Sequence, residues 1–303
     1  MPPVISSRSL NAFLDFAGVQ VGGPPLAVFD CDGTVVRGDI GETMLYRQLE
    51  RFLFRVSPAA IWTDHPDRQA LDELYKRLAA AGGDFASHPA YESFCAMVLD
   101  WYYGQMAVGR TPKACADIVS LLAGFTDEEA AELGRETLEA ELSSPIGTRR
   151  LGGRQLPVGV RYVDETVRAV RRLLRDGWDV MVVSGSNRWS VQAVFAPLGV
   201  VPGKILGIDL KRKGETLEGS YVEPIPVADG KVKALRAVTR AKPDIVFSDS
   251  RLDIPLFREA RFRVLVSYDA ESADEIIRKA GGGPRENWHV ISPPTLVRNG
   301  LSA

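Results

Sequence analysis

Short apolar runs alternate with helically spaced segments over the second half of the chain. From residue 161 onward, the apolar spacing predicts helices at 163–176, 188–198, 231–240, 254–260 and 270–280. Strands are predicted between them, at 179–184, 245–248, 262–267 and near residue 290. A further apolar run, Leu26 to Phe29, lies between Gly22-Gly23-Pro24-Pro25 and Gly33. Strands that alternate with helices in this way predict an α/β fold with a doubly wound parallel sheet.

The middle of the chain has a different pattern. Across 39–158 the apolar spacing is helical throughout, and no strand-like run appears. We therefore predict a helical cap domain at 39–158, inserted into an α/β core of residues 1–38 and 159–303. The segment 143–156, rich in Ser, Gly, Pro and Arg, is predicted to be the hinge between them. A second excursion, 207–226, predicts a β-hairpin flap within the core.

Composition and charge exclude several classes of protein. The 303 residues are 45% apolar and 25% charged, which is typical of a globular protein. A net charge of -2 with dispersed Lys and Arg gives no basic surface for nucleic acid or an anionic membrane. Three cysteines without CxxC spacing indicate neither a disulfide framework nor a zinc site. No apolar run approaches the ~20 residues of a membrane span, and we expect a cytoplasmic protein.

Two acids follow the first apolar run directly, in Phe29-Asp30-Cys31-Asp32-Gly33. Parallel sheets place ligands at the carboxyl ends of their strands, and residues two apart on an extended chain point the same way. We therefore expect Asp30 and Asp32 to share one site, with Cys31 facing away from it. Two neighbouring carboxylates repel unless a cation or a shared proton relieves them. The alternative is a buried strand followed by a common Asp-Gly turn.

Further polar groups occur at predicted strand ends and helix starts. Ser184 and Gly185 lie where a hydroxyl and helix-starting amides could hold a phosphate, or only cap the helix. Lys231 begins a helix, where a cation is unfavourable unless an anion lies nearby; otherwise it is a solvated lysine. Asp249 and Asp253 form a second acid pair after another apolar strand, and an N-cap with a first-turn acid explains them equally.

Together these residues resemble the four motifs of the haloacid dehalogenase superfamily: a DxDGT loop, a strand-ending Ser or Thr, a Lys, and an acid pair of the DxxxD type. All four occur here in that order, within roughly residues 20–38 and 160–270. The resemblance implies a Rossmann-like core, and the helical insertion looks like the superfamily's type-one cap. The segment from Val227 to Leu235 is similar to the phosphoserine-phosphatase branch.

The resemblance implies a role for each motif. The first acid, Asp30, is the nucleophile that forms an aspartyl-phosphate, and Asp32 is the general acid and base. Ser184 and Lys231 hold the phosphoryl oxygens. Mg²⁺ is the implied cofactor, because its charge offsets the repulsion between a carboxylate and a phosphate dianion. The implied ligands are oxygen atoms of Asp30, Asp32 (backbone carbonyl), Asp249 and Asp253, the last as a direct or an orienting group.

The same resemblance favours a phosphatase that acts on a small phosphorylated metabolite, with phosphoserine-like esters preferred. Asp39 stands where phosphoserine phosphatases carry an acid that receives the substrate ammonium. Glu42 and Gly185 are the other predicted substrate contacts. A helix cap at Asp39 with Glu42 completing a capping box explains the two acids equally. Three arginines of the predicted hinge could meet a substrate carboxylate or be solvated: Arg149, Arg150 and Arg154.

Departures from the phosphoserine-phosphatase pattern keep other functions open. After Ser184 the chain reads Gly185-Ser186-Asn187-Arg188-Trp189 and lacks the paired glycines expected there, and the helical insertion is larger than that branch usually carries. Ser248 also replaces the more usual Gly before Asp249. A phosphocholine or phosphoethanolamine phosphatase is one alternative, because Trp101-Tyr102-Tyr103 offer aromatic rings for a quaternary ammonium. A phosphomutase and a catalytically silent binding module are the others. The sequence gives no prediction of the oligomeric state.

Overall fold

The structure is a computed structural model that describes residues 9–20 and 25–293. Residues 22–24 of the Gly-Pro segment predicted before the first strand lie outside this description, as do both ends of the predicted core, 1–8 and 294–303. The α-helices are α1 (Leu10–Gln20), α2 (Ile40–Glu50), α3 (Pro58–Ile61), α4 (Arg68–Ala81), α5 (Ala90–Ala107), α6 (Thr111–Ser120), α7 (Asp127–Ser143), α8 (Asp164–Arg175), α9 (Arg188–Phe195), α10 (Asp229–Val238), α11 (Ile254–Glu259) and α12 (Ala270–Lys279). The β-strands are β1 (Leu26–Phe29), β2 (Val36–Arg37), β3 (Gly147–Leu151), β4 (Arg154–Val158), β5 (Arg161–Tyr162), β6 (Asp179–Asn187), β7 (Ile205–Ile208), β8 (Leu210–Lys213), β9 (Thr216–Tyr221), β10 (Ile245–Ser248), β11 (Phe262–Val266) and β12 (Trp288–Ile291).

A parallel sheet of six strands forms the centre of the molecule, in the order β12-β11-β10-β1-β6-β7. The strand β1 lies inside the sheet, with Val28 opposite Val246 of β10 and Met181 of β6. Its side chains alternate between two apolar layers, because Val28 packs with α10, α11 and α12 while Phe29 packs with α1, α8 and α9. Strands buried on both faces are apolar throughout. The predicted α/β class with a doubly wound parallel sheet is confirmed.

Some element boundaries differ from those the apolar pattern predicts. The strand β6 continues past Ser184 to Asn187, whose side chain then caps α9 by accepting from Ser190 N. The helix α10 begins at Asp229, before Lys231. The pattern does not predict α1 or β7, because α1 buries only a narrow stripe on the sheet and β7 is four residues long.

Helices α2 to α7 fill the segment between β2 and β3 and share one apolar cluster. Phe94 and Leu99 of α5 pack in it together with Met44 of α2. Trp189 of α9 and Leu217 of β9 belong to the same cluster, so the inserted helices pack directly on elements that surround the sheet. That the insertion is a separate cap domain with the bounds 39–158 stays a prediction.

The expectation that the insertion contains no strand is wrong. The segment assigned to a hinge contains an antiparallel hairpin, β3 and β4. Its strands carry three arginines and one glutamine, so that the segment resembles a loop in sequence, and within the two strands only Leu151 and Leu156 are buried. The turn is made by Gly152 and Gly153, both with positive φ, and a Cβ at Gly152 would lie 2.6 Å from the backbone nitrogen of Ala96. The glycines therefore shape a hairpin that packs on α5.

A second hairpin, β8 and β9, lies within the range where a flap was predicted. Its strand β9 hydrogen-bonds to the chain before α7, with Gly124 N donating to Leu217 O at 2.8 Å and Leu217 N donating to Phe125 O at 2.7 Å. The hairpin is thus attached to the inserted helices. Across the part of the chain that the structure describes, no helix combines the length and the apolar character needed to cross a membrane.

Candidate active site

The carboxyl end of β1 positions Asp30 at the centre of the sheet. Only 5% of Asp30 is exposed, and its Oδ1 accepts hydrogen bonds from Cys31 N and Lys231 Nζ, each at 2.8 Å. Cys31 itself is fully buried in the apolar layer on the other side of the strand, as the alternation predicts. One oxygen of Asp30 is therefore held by two donors.

Lys231 is the cation that compensates Asp30. Its Nζ lies 2.8 Å from Asp30 Oδ1 and 2.7 Å from Asp253 Oδ2, and the side chain is buried. Burial disfavours the ammonium, but the charges of Asp253 and then Asp30 outweigh it and raise the pKa of Lys231 above its ordinary value. Ser248 donates a further hydrogen bond to Asp253 Oδ2 at 2.6 Å. The lysine at an unfavourable helix position thus has two carboxylate partners.

Asp32 faces the same cavity and is held by different groups. Its Oδ1 accepts from Ile40 N at 2.7 Å and its Oδ2 from the Ser186 hydroxyl at 2.7 Å. The Ser184 hydroxyl lies 3.4 Å from the same Oδ2. Burial raises the pKa of Asp32, and the hydrogen bonds from Ile40 and Ser186 oppose that shift only in part. The carboxyl group therefore favours the protonated form more than an ordinary aspartic acid does.

Ser184 and Gly185 occupy different depths of the site. Ser184 is fully buried, and its hydroxyl accepts from Ser186 N at 3.1 Å. The residues after it, Gly185, Ser186 and Asn187, line the cavity. The pairing of β6 with β7 shifts register between Val183 and Asn187, which marks where this stretch leaves regular strand geometry. Ser186 thus directs its hydroxyl to Asp32, while the buried Ser184 hydroxyl holds the Ser186 amide.

Asp249 approaches the two acids from the end of β10. The Thr34 hydroxyl donates to its Oδ1 at 3.2 Å, and a Cβ at Gly33 would lie only 1.9 Å from its Oδ2. Gly33 also has a φ of +70°, which glycine adopts without steric cost. Burial, followed by the charge of Asp253, raises the pKa of Asp249 to about 7. Gly33 thus makes room for this carboxylate and turns the chain.

The ammonium of Lys231 pairs with the carboxylates of Asp30 and Asp253, and the Asp249 carboxylate lies near enough to feel its charge. Burial raises the pKa of Asp30 well above its ordinary value; Lys231 opposes this shift, and the charges of Asp253 and Asp249 add to it. The Oδ1 of Asp253 is buried and has no hydrogen-bond partner. The site therefore has an excess of negative charge and an unsatisfied oxygen.

The oxygen atoms of these carboxylates fit Mg²⁺ as a ligand set. Among the described residues, no three His, Cys, Asp or Glu side chains form a complete metal site by themselves. Mg²⁺ does not require one, because it is usually bound by one or two carboxylates and completes its coordination with water and substrate phosphate. Asp30 and Asp249 line the cavity and provide the hard carboxylate oxygen atoms that it prefers, and its charge would offset the local excess. The backbone carbonyl of Asp32 is the further ligand that the family resemblance implies.

A cavity of about 400 Å³ opens beside the acids, which suits a small metabolite. One part of it is lined by the acids, Lys231 and the 185–187 stretch. Among the described residues that line the cavity, Lys231 is the only basic one and Tyr102 the only aromatic one. The remaining wall comes mainly from apolar side chains of the inserted helices: Met44, Leu45, Met106, Ile118, Val119 and Leu122.

Asp39 and Glu42 line this cavity at the start of α2. Asp39 is the N-cap, since its Oδ1 accepts from Glu42 N at 2.7 Å. Glu42 does not complete a capping box; its Oε1 accepts from the Tyr102 hydroxyl and its Oε2 from the Tyr46 hydroxyl, both at 2.7 Å. Burial, then the charges of Asp32 and Glu42, raise the pKa of Asp39 well above its ordinary value. Asp39 therefore both caps α2 and faces the cavity.

The hinge arginines and most of the aromatic cluster lie away from the cavity. Arg149 pairs with Glu50 and Glu141, Arg154 pairs with Asp100, and Arg150 is exposed on β3. Consecutive residues of α5 point in different directions, so Tyr102 reaches the cavity while Trp101 Nε1 donates to Asp117 and the Tyr103 hydroxyl bonds that of Tyr46. No aromatic cage is formed by these residues.

Sequence reasoning missed three hydroxyl groups of the site, those of Thr34, Ser186 and Ser248. Each contacts one of the predicted acids. Ser186 and Ser248 stand out in the sequence only as departures from the phosphoserine-phosphatase pattern, and none of the three hydroxyl groups has a predicted role. A signal for Ser186 is Gly41, since a Cβ there would lie 2.3 Å from Ser186 Oγ. A glycine in the first turn of a buried helix indicates close approach of another group, but it does not identify that group.

These features define an α/β protein with a carboxylate-rich site at the carboxyl ends of its central strands. The family model of haloacid dehalogenase-like hydrolases matches residues 27–258, and the chain belongs to that family. The predicted superfamily is therefore confirmed, whereas the phosphoserine-phosphatase branch stays a prediction. A search of curated proteins gives no match to this sequence.

Several solved structures are similar to this chain at low sequence identity, and two of those named here share its fold. A conserved protein of unknown function from Anaerococcus prevotii DSM 20548 is 18% identical, with a TM-score of 0.71 over 95% of this chain and 94% of that one. A protein of unknown function from Bordetella pertussis Tohama I is 17% identical, with a TM-score of 0.57 over 89% and 99%. A phospho-aspartyl intermediate analogue of phosphoserine phosphatase is 14% identical, with a TM-score of 0.44 over 86% and 92%. The first two extend the fold over nearly the whole chain.

Proposed function

We propose that this protein is a Mg²⁺-dependent phosphomonoester hydrolase that acts through an aspartyl-phosphate on a small phosphorylated metabolite. The observation that carries the proposal is the arrangement around Asp30. Its Oδ1 is held by Cys31 N and Lys231 Nζ, which leaves Oδ2 as the attacking oxygen. Asp32, with its raised pKa, lines the same cavity two residues further on.

The two acids divide the reaction into two displacements. In the first, a bond forms between Asp30 Oδ2 and phosphorus while the bond from phosphorus to the leaving oxygen breaks, and Asp32 gives its proton to that oxygen. In the second, a water oxygen attacks phosphorus, Asp32 takes a proton from the water, and the bond to Asp30 breaks to release phosphate. The raised pKa of Asp32 supports its role as the acid of the first step.

The remaining groups hold the reactants in place. Mg²⁺, bound by Asp30, Asp249 and the Asp32 carbonyl, would supply the positive charge that lets a carboxylate approach a phosphate. Lys231 favours the ionised form of Asp30 and is itself fixed by Asp253. Ser184 and Lys231 are the groups that the family resemblance implies for the phosphoryl oxygens, and the 185–187 stretch lines the cavity beside them.

Phosphoserine-like esters are the substrates that the family resemblance favours, with Asp39, Glu42 and Gly185 as contacts. The free Cys31, Cys95 and Cys115 accord with a cytoplasmic location, which is part of this proposal. A phosphomutase would use the same two acids and differ in the final acceptor, which would be a second substrate hydroxyl. A silent binding module is disfavoured because both acids and the lysine are present and in contact distance of their partners.

Phosphate release with Mg²⁺ tests the proposal. We expect the wild-type protein to hydrolyse p-nitrophenyl phosphate and at least one ester in a panel of phosphoserine, phosphocholine, phosphoethanolamine, sugar phosphates and nucleoside monophosphates. Asp30→Asn should lower the rate by at least about a thousandfold. Asp229→Asn, an exposed acid near Lys231, is the control and should retain activity. Wild-type rates in Asp30→Asn would refute the aspartyl mechanism, and activity only with an added sugar bisphosphate would indicate a mutase.

A further inference from the structure

The charges around the cavity are unequally distributed. Beyond the acids that follow β1 and β10, Asp39 and Glu42 add two more carboxylates on the side of the inserted helices. The only basic residue among the described lining residues is Lys231, and its ammonium is already engaged by Asp30 and Asp253. A substrate carboxylate bound beside α2 would therefore meet two acids and no cation. Such an unpaired buried charge is strongly disfavoured.

Glu42 is fixed in place more firmly than a surface acid. Two tyrosine hydroxyls donate to it at 2.7 Å, that of Tyr102 to Oε1 and that of Tyr46 to Oε2. The Tyr103 hydroxyl lies 3.5 Å from the same Oε2 and 2.6 Å from that of Tyr46. These contacts orient the carboxylate and leave acceptor capacity on it, because an ionised carboxylate has about four lone-pair sites. An oriented anion that lines a cavity is a receptor for a cationic donor.

The chemistry of the wall narrows the kind of cation. A quaternary ammonium is recognised by several aromatic faces, whereas the described lining includes one aromatic residue, Tyr102, whose hydroxyl is bound to Glu42. A primary ammonium instead donates hydrogen bonds, which Asp39 and Glu42 can accept. Met44, Leu45 and Met106 line the same cavity with apolar side chains. The wall therefore suits a protonated amine that is attached to an aliphatic chain.

We propose that the leaving group of the substrate is a primary amino alcohol without a carboxylate, whose ammonium binds Glu42 and Asp39 and whose carbon chain packs on the apolar wall. This inference rests on the proposed phosphatase function and specifies its substrate class. It replaces the phosphoserine preference, because the carboxylate of phosphoserine would find no unengaged basic residue among the described residues that line the cavity. It also separates phosphoethanolamine from phosphocholine, which the sequence leaves together.

A series of esters that differ in one substituent tests the inference. The Mg²⁺-loaded full-length protein is assayed for kcat/KM with phosphoethanolamine, phosphoserine, 2-aminopropyl phosphate, phosphocholine and n-propyl phosphate. Phosphoserine carries a carboxylate where 2-aminopropyl phosphate carries a methyl group, and n-propyl phosphate replaces the ammonium by a methyl group. We expect phosphoserine to be at least about a hundredfold worse than phosphoethanolamine. The added methyl of 2-aminopropyl phosphate should improve kcat/KM by roughly fourfold.

Glu42→Gln provides the second measurement. The amide keeps the size of the side chain and can still bond the tyrosines, but it loses the negative charge. We expect the ratio of kcat/KM for phosphoethanolamine to that for n-propyl phosphate to fall by about 10- to 100-fold. Glu73→Gln, an exposed residue of α4, is the matched control and should keep the wild-type ratio. Using this ratio separates loss of ammonium binding from a general loss of folded enzyme.

The outcomes distinguish this inference from the proposed function. If p-nitrophenyl phosphate is hydrolysed by the wild type and not by Asp30→Asn, the phosphatase stands on its own. With the phosphatase established, equal kcat/KM for phosphoserine and phosphoethanolamine overturns the amine inference alone. An unchanged ratio in Glu42→Gln, or a preference for phosphocholine over phosphoethanolamine, overturns it as well. Failure to hydrolyse any ester overturns both proposals.

Discussion

Gly33 performs two steric tasks at the residue scale. It adopts a φ of +70° to turn the chain after Asp32, and it leaves the space into which Asp249 extends. Any side chain at this position would compete with a carboxylate for the same volume, since a Cβ would lie 1.9 Å from Asp249 Oδ2. The carboxyl end of β10 can therefore approach that of β1 only because a glycine follows the acids.

Gly33→Ala should consequently inactivate the enzyme by displacing Asp249. We expect phosphate release to fall by more than about a hundredfold, equivalent to ~2.7 kcal/mol or more of lost transition-state stabilisation. Gly177→Ala is the matched control, because Gly177 has a similar φ of +81° and nothing within 4 Å of its added Cβ. Both variants should lose about 1–2 kcal/mol of stability from the left-handed backbone. Equal activity losses in the two would show that strain, and not displacement of Asp249, is responsible.

At the element scale, the hairpin β3–β4 depends on contacts with residues that are distant in sequence. Arg149 of β3 reaches Glu141 at the end of α7 and Glu50 at the end of α2. Glu141 is nearly buried and also accepts hydrogen bonds from the amides of Gly159 and Val160. One carboxylate therefore connects the last inserted helix, the hairpin and the chain that returns to the sheet.

Arg149→Met should destabilise the protein, because it leaves Glu141 buried without its counter-charge. We expect a loss of about 3 kcal/mol in the free energy of unfolding, measured by urea denaturation. Arg150→Met changes the neighbouring residue on the exposed face of β3 and should stay within about 0.5 kcal/mol of the wild type. A loss of similar size in both variants, or in neither, would contradict a structural role for the Arg149–Glu141 pair.

Another element, β12, carries a buried histidine that makes stability depend on pH. His289 is 8% exposed, its ring lies 5.4 Å from that of Phe13, and its Nδ1 has no hydrogen-bond partner. Burial lowers the pKa of His289. A lowered pKa in the folded state means that the unfolded chain takes up the proton first, so this contribution is present above about pH 6.5 and is lost as the pH falls.

His289→Phe should remove this acid sensitivity. We expect the difference in the free energy of unfolding between pH 7.5 and pH 5 to be smaller in the variant than in the wild type. Urea denaturation at the two pH values measures it. A larger difference in the variant would show that protonation of His289 stabilises the folded state instead of destabilising it.

The sequence predicted the elements that are apolar on their own and missed those that depend on partners. The strand Ile245–Ser248 could be predicted because burial on both faces requires an apolar run. The loop Asp30 to Gly33 could be predicted because its acids directly follow such a run. The hairpin β3–β4 is polar, since it is held by ion pairs with distant residues, and so it resembles a loop. Ser186 and Ser248 acquire their roles only through the carboxylates that folding brings to them.

At the scale of the whole molecule, the fold concentrates negative charge at the carboxyl ends of its central strands. The chain as a whole carries a net charge of only -2, yet six acids and one base are found among the described residues that line the cavity. Asp30 and Asp249 follow the strands β1 and β10, and Asp39 and Glu42 lie at the start of the inserted helix α2. All four residues line the same cavity. The folded protein therefore has a site whose charge is unbalanced until cations enter it.

Mg²⁺ should relieve this imbalance and stabilise the folded state. At a hundred times its Kd we expect about 2.7 kcal/mol of added stability, seen as a rise in Tm over the EDTA-treated protein. EDTA should abolish phosphate release and Mg²⁺ restore it, whereas Ca²⁺ should inhibit, because its longer and looser coordination misplaces the reactants. Asp249→Asn should lose the Mg²⁺-dependent rise in Tm, while its metal-free form should be no less stable than the wild type, because a repulsive charge is gone. Asp229→Asn should keep the rise, and full activity in EDTA would refute the metal requirement.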